Sequence, residues 1–260
     1  MGKAWQIEKA LAQLAPLETA LSYDNVGFLV GDANKDISRV LLALDITPET
    51  VEEASIFGAE MIVSHHPVIF QPYRRITPQR YDTAAAMALI RRDMAAVCMH
   101  TNLDLARGGV NDALAQALGL CGISPVDADP DRLLRVGMLP EPMEMQVFAR
   151  KVCKALGCPG LWFFDAEKPV SRVAVCGGAG GGDGEMELAL ASGADAYVSS
   201  EFRHHITLQA RYRGLSLVDA GHFYTERPVL DLLAAYLRRT MPELEIGISV
   251  QRGAGSFITE

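Results

Sequence analysis

The chain has 260 residues, 49% of them apolar and 22% charged, enough to bury the cores of one large or two modest domains. Acidic residues outnumber basic ones 32 to 24, and the net charge of −8 argues against nucleic acid as the main partner, because phosphate backbones are bound by basic faces. No apolar run reaches the ~20 residues of a membrane span, the N-terminal segment is amphipathic rather than signal-like, and the cysteines at 98, 121, 153, 158 and 176 form no C-x-x-C pair; this pattern fits a reducing cytoplasm and no cysteine zinc site.

Helical spacing of Trp5, Ala10, Leu11 and Leu14 predicts a first helix over 3–14, closed by Pro16. The turn Tyr23-Asp24-Asn25-Val26-Gly27 feeds a short strand. Residues 38–46 are nearly continuous apolar, as in strands covered on both faces. Thr47 is a candidate helix cap with Pro48 at the first helical position, and Gly58 is the stop. A strand over 60–64 then delivers Ser64-His65-His66-Pro67. After an irregular loop carrying Arg74, Arg75 and Arg80, Asp82 is expected to cap a helix over 83–93. A strand over 95–99 opens into His100-Thr101-Asn102-Leu103-Asp104, and a helix follows over 110–118.

The Pro/Asp-rich stretch 125–132 reads as a linker. Beyond it the sequence predicts strands near 134–139, 161–165, 171–176, 195–200 and 215–219, helices over 143–156 and 205–212, a long amphipathic helix over 225–239 and a last strand over 245–250. The glycine run 177–184 lies between a strand and a helix. It contains no G-x-G-x-x-G and no P-loop lysine, so it reads as a tight turn rather than a nucleotide cradle. Ser38-Arg39-Val40 and Gly58-Ala59-Glu60 are echoed by Ser171-Arg172-Val173 and Gly193-Ala194-Asp195, which argues for a duplicated α/β lobe. The expected fold is therefore α/β, with two similar lobes: residues 1–125 plus 220–260 as a metal-binding lobe, and 126–219 as the second.

His65, His66 and His222 fall at predicted strand ends, and His100, with Asp104 beyond it, at a fourth such point. His222 and Glu226 share a face if the helix starts by residue 223. Imidazole and carboxylate donors at one edge of a sheet suit zinc, iron or manganese better than calcium or magnesium. Neighbouring side chains on an extended backbone diverge, so His65 and His66 are expected to hold two different ions of a two-metal site. Structural roles for the same histidines remain the competing reading at this point.

Tyr-Asp-Asn-Val-Gly (23–27), Ser-His-His-Pro (64–67), His-Thr-Asn-Leu-Asp (100–104) with Gly-Val-Asn-Asp (109–112), and Gly-His-Phe-Tyr-Thr-Glu-Arg (221–227) occur in that order. Together they resemble the NGG-interacting-factor-three-like (Nif-three-like) family of dinuclear-metal proteins, whose members often carry the label GTP cyclohydrolase I type 2 homolog. The resemblance implies that His65, Asp104 and Glu226 hold one metal and that His66, His222 and Glu226 hold the other, with Glu226 bridging and a water or hydroxide between the ions. It also implies two α/β lobes with the metal site between them at strand C-terminal ends, and a toroidal homohexamer. His100 is a candidate proton carrier or an orienting hydrogen-bond partner. Many members have Thr-Gly-Glu or Thr-Gly-Asp after a strand of the second lobe, where this chain has Ser199-Ser200-Glu201. Glu201, His204 and His205 are candidates for outer contacts of the site, with a solvated helix start as the alternative for the two histidines. The expected function is that of a metal-dependent hydrolase acting through a metal-bridging hydroxide on a small-molecule phosphoester, nucleotide or cyclic amide. A non-enzymatic metal-storage, delivery or partner-binding role and GTP ring opening are the alternatives.

Overall fold

The structure, a computed structural model, describes residues 2–255. In chain order the elements are β1 (Gly2–Lys3), α1 (Ala4–Leu14), β2 (Gly27–Val30), β3 (Asp36–Ile37), β4 (Arg39–Ala43), α2 (Pro48–Phe57), β5 (Met61–Ser64), α3 (Tyr81–Arg91), β6 (Ala95–Cys98) and α4 (Thr101–Leu105). Then follow α5 (Val110–Ala117), β7 (Cys121–Pro125), β8 (Arg135–Met143), α6 (Met145–Leu156), β9 (Trp162–Phe164), β10 (Val170–Val175), α7 (Asp183–Ala191), β11 (Ala196–Ser199), α8 (His204–Tyr212), β12 (Ser216–Asp219), α9 (His222–Glu226), α10 (Pro228–Thr240) and β13 (Glu245–Ile248). By packing, the chain forms two units. One runs through Gly109 and includes Leu230–Gln251; the other is Val110–Val229 with the residues from Arg252. No helix among the described residues is long and apolar enough to cross a membrane.

The first unit is built on a five-stranded sheet in the order β13-β4-β5-β6-β2. Strands β13, β4, β5 and β6 are parallel, and β2 runs antiparallel on the β6 edge. All four residues of β5 and all four of β6 are buried, which explains their unbroken apolar runs. Burial of side chains such as Met61, Ile62 and Val63 contributes about 1.5–3 kcal/mol each. The register pairs Ala43 with Ser64 and Ser64 with Cys98, so β4, β5 and β6 end together. The cap of α2 forms as its sequence dictates: Thr47 Oγ1 accepts from the Thr50 amide at 3.2 Å, and Gly58 closes the helix at φ 76°, a left-handed conformation that glycine adopts without a Cβ penalty.

The second unit has a six-stranded sheet in the order β7-β8-β10-β11-β12-β9, with β10, β11 and β12 parallel and β8 and β9 antiparallel to their neighbours. Three parallel strands joined by helices, with an earlier strand antiparallel on the far edge, describe β4-β5-β6-β2 and β10-β11-β12-β9 equally. Phe148 and Val152 of α6 pack with Val173 and Val198 on one face of the second sheet, while Tyr197, Ile206 and Leu217 form a cluster on the other.

Several elements differ from expectation. Helix α3 starts at Tyr81, with Arg80 rather than Asp82 at its cap position; Asp82 instead accepts from the Thr83 amide at 2.7 Å and pairs with Arg80. The stretch 125–132 is not a linker. It belongs to the connection between the paired strands β7 and β8, where Asp129 accepts from the Leu134 amide at 2.7 Å. The long helix expected over 225–239 is two helices, α9 and α10, because Pro228 brings no amide to an uninterrupted ladder and serves as the first residue of a new helix.

Helix α5 is anchored through a buried ion pair. Arg135 Nε donates to Asp112 Oδ1 at 2.6 Å, and the arginine side chain is only 2% exposed. Replacing one partner leaves the other charge buried, a loss worth about 3–5 kcal/mol. Arg135→Ala is therefore expected to destabilise the second unit by that order. A shift of the urea-unfolding midpoint worth less than about 1 kcal/mol would refute the assignment.

Candidate metal centre

Two groups of imidazoles and carboxylates are built at strand ends, one in each unit. In the first, β5 stops at Ser64, so the alternation of side chains along a strand no longer governs His65 and His66. Their rings do not splay apart as expected from an extended backbone: the ring centroids lie 4.8 Å apart. His100, which follows β6 and precedes α4, brings a third ring, 5.2 Å from His65 and 5.6 Å from His66. One ring nitrogen from each of the three histidines lies within 4.8 Å of the others, a grouping that could hold a metal ion.

What orders these rings is the acceptor behind each. His65 Nδ1 faces the Met99 carbonyl at 2.9 Å, His66 Nδ1 faces Asp45 Oδ1 at 2.9 Å, and His100 Nδ1 faces Asp24 Oδ1 at 2.8 Å. A carbonyl or carboxylate only accepts, so each Nδ1 carries the proton, and in the neutral ring the lone pair lies on Nε2. Metal-ligating histidines are typically held in this way. Asp104, on α4, places Oδ1 3.6 Å from His65 Nε2.

Asp24 is tied in further. It accepts from the Thr101 amide at 3.0 Å and from Thr101 Oγ1 at 2.5 Å, and its side chain has no solvent exposure. Burial alone would raise its pKa, but the hydrogen bonds from His100 and Thr101 and the charge of His100 outweigh it and hold the carboxyl well below the usual range.

In the second unit, α9 begins at His222, so His222 and Glu226 stand one turn apart, with Nε2 and Oε1 separated by 3.1 Å. His222 Nδ1 donates to Glu201 Oε1 at 2.7 Å, which repeats the pattern of the first unit. Glu201 is held in the left-handed region at φ 63°, a conformation that costs a residue with a Cβ about 1–2 kcal/mol. The glycine run closes over this pair. The Gly178 amide donates to Thr225 Oγ1 at 2.9 Å and the Gly177 amide to Asn111 Oδ1 at 2.7 Å. Gly178 has φ 68°, and a Cβ there would lie 2.2 Å from Glu226 Oε1 and 3.2 Å from His222 Nε2. The run is thus a tight turn whose lack of side chains admits Glu226.

The donor sets fit a divalent metal. With Nδ1 protonated, His222 Nε2 and Glu226 Oε1 are both electron-pair donors, as are His65 Nε2 and Asp104 Oδ1; such pairs are drawn together by a shared proton or a shared cation. His204 and His205 lie in the exposed first turn of α8, where His205 Nε2 is 3.5 Å from Asp183 Oδ2 in a solvated pair. Sequence reasoning gave no role to Asp24, Asp45 or the Met99 carbonyl. Asp45 follows β4 at the same distance as His66 follows β5, a parallel visible in the sequence; Asp24 stands inside the Tyr-Asp-Asn-Val-Gly motif.

These features define an α/β protein with imidazole–carboxylate clusters that could bind metal. A family model, DUF34/NIF3 (NGG1p interacting factor 3), matches residues 3–253, and the chain belongs to that family. A relative from Streptomyces coelicolor, named GTP cyclohydrolase 1 type 2 homolog, is 36% identical over 247 residues, covering 91% of this chain and 86% of its own. One of the same name from Lactococcus lactis subsp. lactis is 34% identical over 230 residues, covering 87% and 88%. Among solved structures, the Staphylococcus aureus protein SA1388 superposes with a TM-score of 0.89 at 27% identity, covering 98% of this chain and 99% of that one. A Bacillus cereus protein related to NIF3 gives 0.88 at 24% identity, covering 100% and 99%.

Two outcomes follow from this geometry. Because the Asp24 carboxyl is depressed in the folded protein, its stabilisation is present above its unfolded value of about 3.9 and is lost as pH falls below that toward the folded value. Asp24→Asn should remove that part of the acid sensitivity and cost about 1–3 kcal/mol at neutral pH. Urea melts of metal-free protein at pH 3 and 7 would show an unchanged acid slope if the account is wrong. Gly178→Ala should push the Glu226 carboxylate aside and lower bound metal after reconstitution, with a stability loss of about 1–3 kcal/mol. Full metal content in that variant would contradict the close approach.

Proposed function

We propose that the chain is a metal-dependent hydrolase whose five ligands, His65, His66, Asp104, His222 and Glu226, hold two divalent ions of zinc, iron or manganese. The observation that carries the reading is the anchoring of each imidazole through Nδ1, which presents Nε2 as the ligand atom on His65 and His66 in one unit and on His222 in the other. Glu226, packed against the side-chain-free Gly178, would contribute its carboxylate to both ions in this reading. A pair of ions, when bound, supplies an activated water and stabilises negative charge developing on a phosphoryl or carbonyl oxygen.

The remaining roles belong to the chain. Asp45 and the Met99 carbonyl keep the ligand rings in one tautomer, and Glu201 does the same for His222. His100, with its Nδ1 proton held by Asp24, offers Nε2 to receive and return a proton of the reacting group. Asp24, ionised and with no solvent exposure of its side chain, keeps that ring oriented while the proton moves. The substrate class is a small phosphoester, nucleotide or cyclic amide. A homohexamer in the cytoplasm is the assembly we attach to this reading, by likeness to the family. Ring opening of GTP is a second reading, supported by the name that the relatives carry; formate release from GTP would establish it.

Elemental analysis of reconstituted protein tests the centre. Two equivalents of metal per chain are expected, falling to one or fewer in Glu226→Gln, with turnover on a panel of phosphoesters and nucleotides lost in the same variant. Well under two equivalents in the unaltered chain would sink the two-metal reading. Full metal with no turnover on any substrate would favour a storage or delivery role.

A further inference from the structure

The loop between β5 and α3, with the first residues of α3, lines a half-open cavity of about 560 Å³, within the ordinary range for small-ligand sites. It begins at Pro67, directly after His66, and its walls include Phe70, Tyr73, Arg74, Arg75 and Tyr81. The loop is not slack. The Asn25 side chain donates to the Ile69 carbonyl, Tyr73 OH donates to the Val68 carbonyl, and Thr83 Oγ1 donates to the Thr77 carbonyl. Burial and the Asp82 carboxylate push the Tyr73 phenol up to about 12, so it stays a neutral donor.

Two features of this cavity suit it to a ligand. Phe70, which meets Tyr23 and His100 edge-on, and Tyr81 are 42% and 70% exposed, so both present ring surface on which a planar group can stack. Arg80 is neutralised by Asp82 through bonds of 3.1 and 2.7 Å, whereas Arg74 and Arg75 have no acidic partner among the described residues. In a chain of net charge −8, two unpaired guanidinium groups on a cavity wall form a local site for an anion, and guanidinium is the side chain best matched to phosphate. The cavity adjoins the histidines through one side chain: the Phe70 ring stands edge-on to His100, with centroids 6.1 Å apart.

We propose that this cavity is the recognition pocket for a planar ring carrying phosphate groups, a mononucleotide, with Phe70 and Tyr81 against the ring and Arg74 and Arg75 on the phosphates. The inference rests on the hydrolase reading for its identification of the ligand as substrate, but the binding itself needs no metal. A ring held against Phe70 lies one side chain from His100, so the same loop that selects the ligand delivers it to the reacting groups. Stacking on aromatic side chains tolerates different bases, so the pocket selects the nucleotide class rather than one base.

Calorimetric titration of metal-free protein with GTP, ATP, guanosine and inorganic triphosphate tests this. Both nucleotides should bind, with guanosine and triphosphate each at least 10-fold weaker. Arg74→Ala/Arg75→Ala should weaken GTP, ATP and triphosphate at least 10-fold and leave guanosine unchanged, whereas Tyr81→Ala should weaken guanosine and both nucleotides. Unchanged melting of the variants excludes a folding artefact. Absence of binding by either nucleotide to the unaltered chain, or binding indifferent to the arginine pair, overturns the pocket whatever the metal analysis gives; loss of metal in Glu226→Gln with intact nucleotide binding leaves it standing.

Discussion

Each imidazole of the two clusters depends on what lies behind it. A histidine side chain on its own has two tautomers and a mobile ring; only one tautomer aimed one way is useful to a metal. The fold supplies that selection with acceptors that cannot donate: a backbone carbonyl for His65, Asp45 for His66, Asp24 for His100 and Glu201 for His222. Charged acceptors also raise the basicity of the rings they hold, which strengthens binding to a cation. Three of the four are carboxylates, so part of the excess acidity of this chain sits beneath its histidines.

The glycine run shows the same economy. Its amides are used on Asn111 and Thr225, its Gly178 carbonyl accepts from the Ser199 and Ser200 hydroxyls, and the Gly180 carbonyl accepts from Tyr197 OH at 2.7 Å. A segment without side chains can bring its backbone this close to a buried carboxylate, whereas any Cβ at Gly178 would displace Glu226. The Gly177, Gly178 and Gly180 amides are thus committed to internal partners, which fits the reading of this part of the run as a tight turn.

Much of the scaffold was legible in the sequence because its signals are local. Thr47-Pro48 and Gly58 bracket α2, and the apolar runs at 61–63 and 95–98 announce strands covered on both faces. Of the candidate residues, His65, His66 and His222 could be nominated from predicted strand ends, Glu226 from its one-turn spacing to His222 and Asp104 from its place beyond His100, while the grouping into one ligand set came from the family resemblance. What the sequence could not show was non-local. The acceptors on Nδ1 come from 21 to 76 residues away in the chain, and nothing in the spacing of Asp24 and His100 declares their contact. The misread elements have the same origin: 125–132 reads as a linker by composition, yet β7 pairs with β8 across it, and the Arg135–Asp112 pair that holds α5 bridges 23 residues.

The placement of His65 depends on register more than on any residue beside it. In the parallel pairing of β5 with β6, Ser64 stands opposite Cys98, and the Met99 amide donates to the Ser64 carbonyl at 2.9 Å. That bond closes the ladder one step beyond the last paired residues and turns the Met99 carbonyl toward the His65 ring. The Cys98 thiol donates to the His65 carbonyl at 3.0 Å, so the backbone of the histidine is held from the same strand. A slip of one residue would exchange the faces of β6 and move the carbonyl away from Nδ1. Because both faces of β5 and β6 are buried, such a slip is opposed by the whole core of the unit. The orientation of a ring in the candidate centre is in this way enforced by apolar packing, and the ligand geometry inherits the rigidity of the sheet.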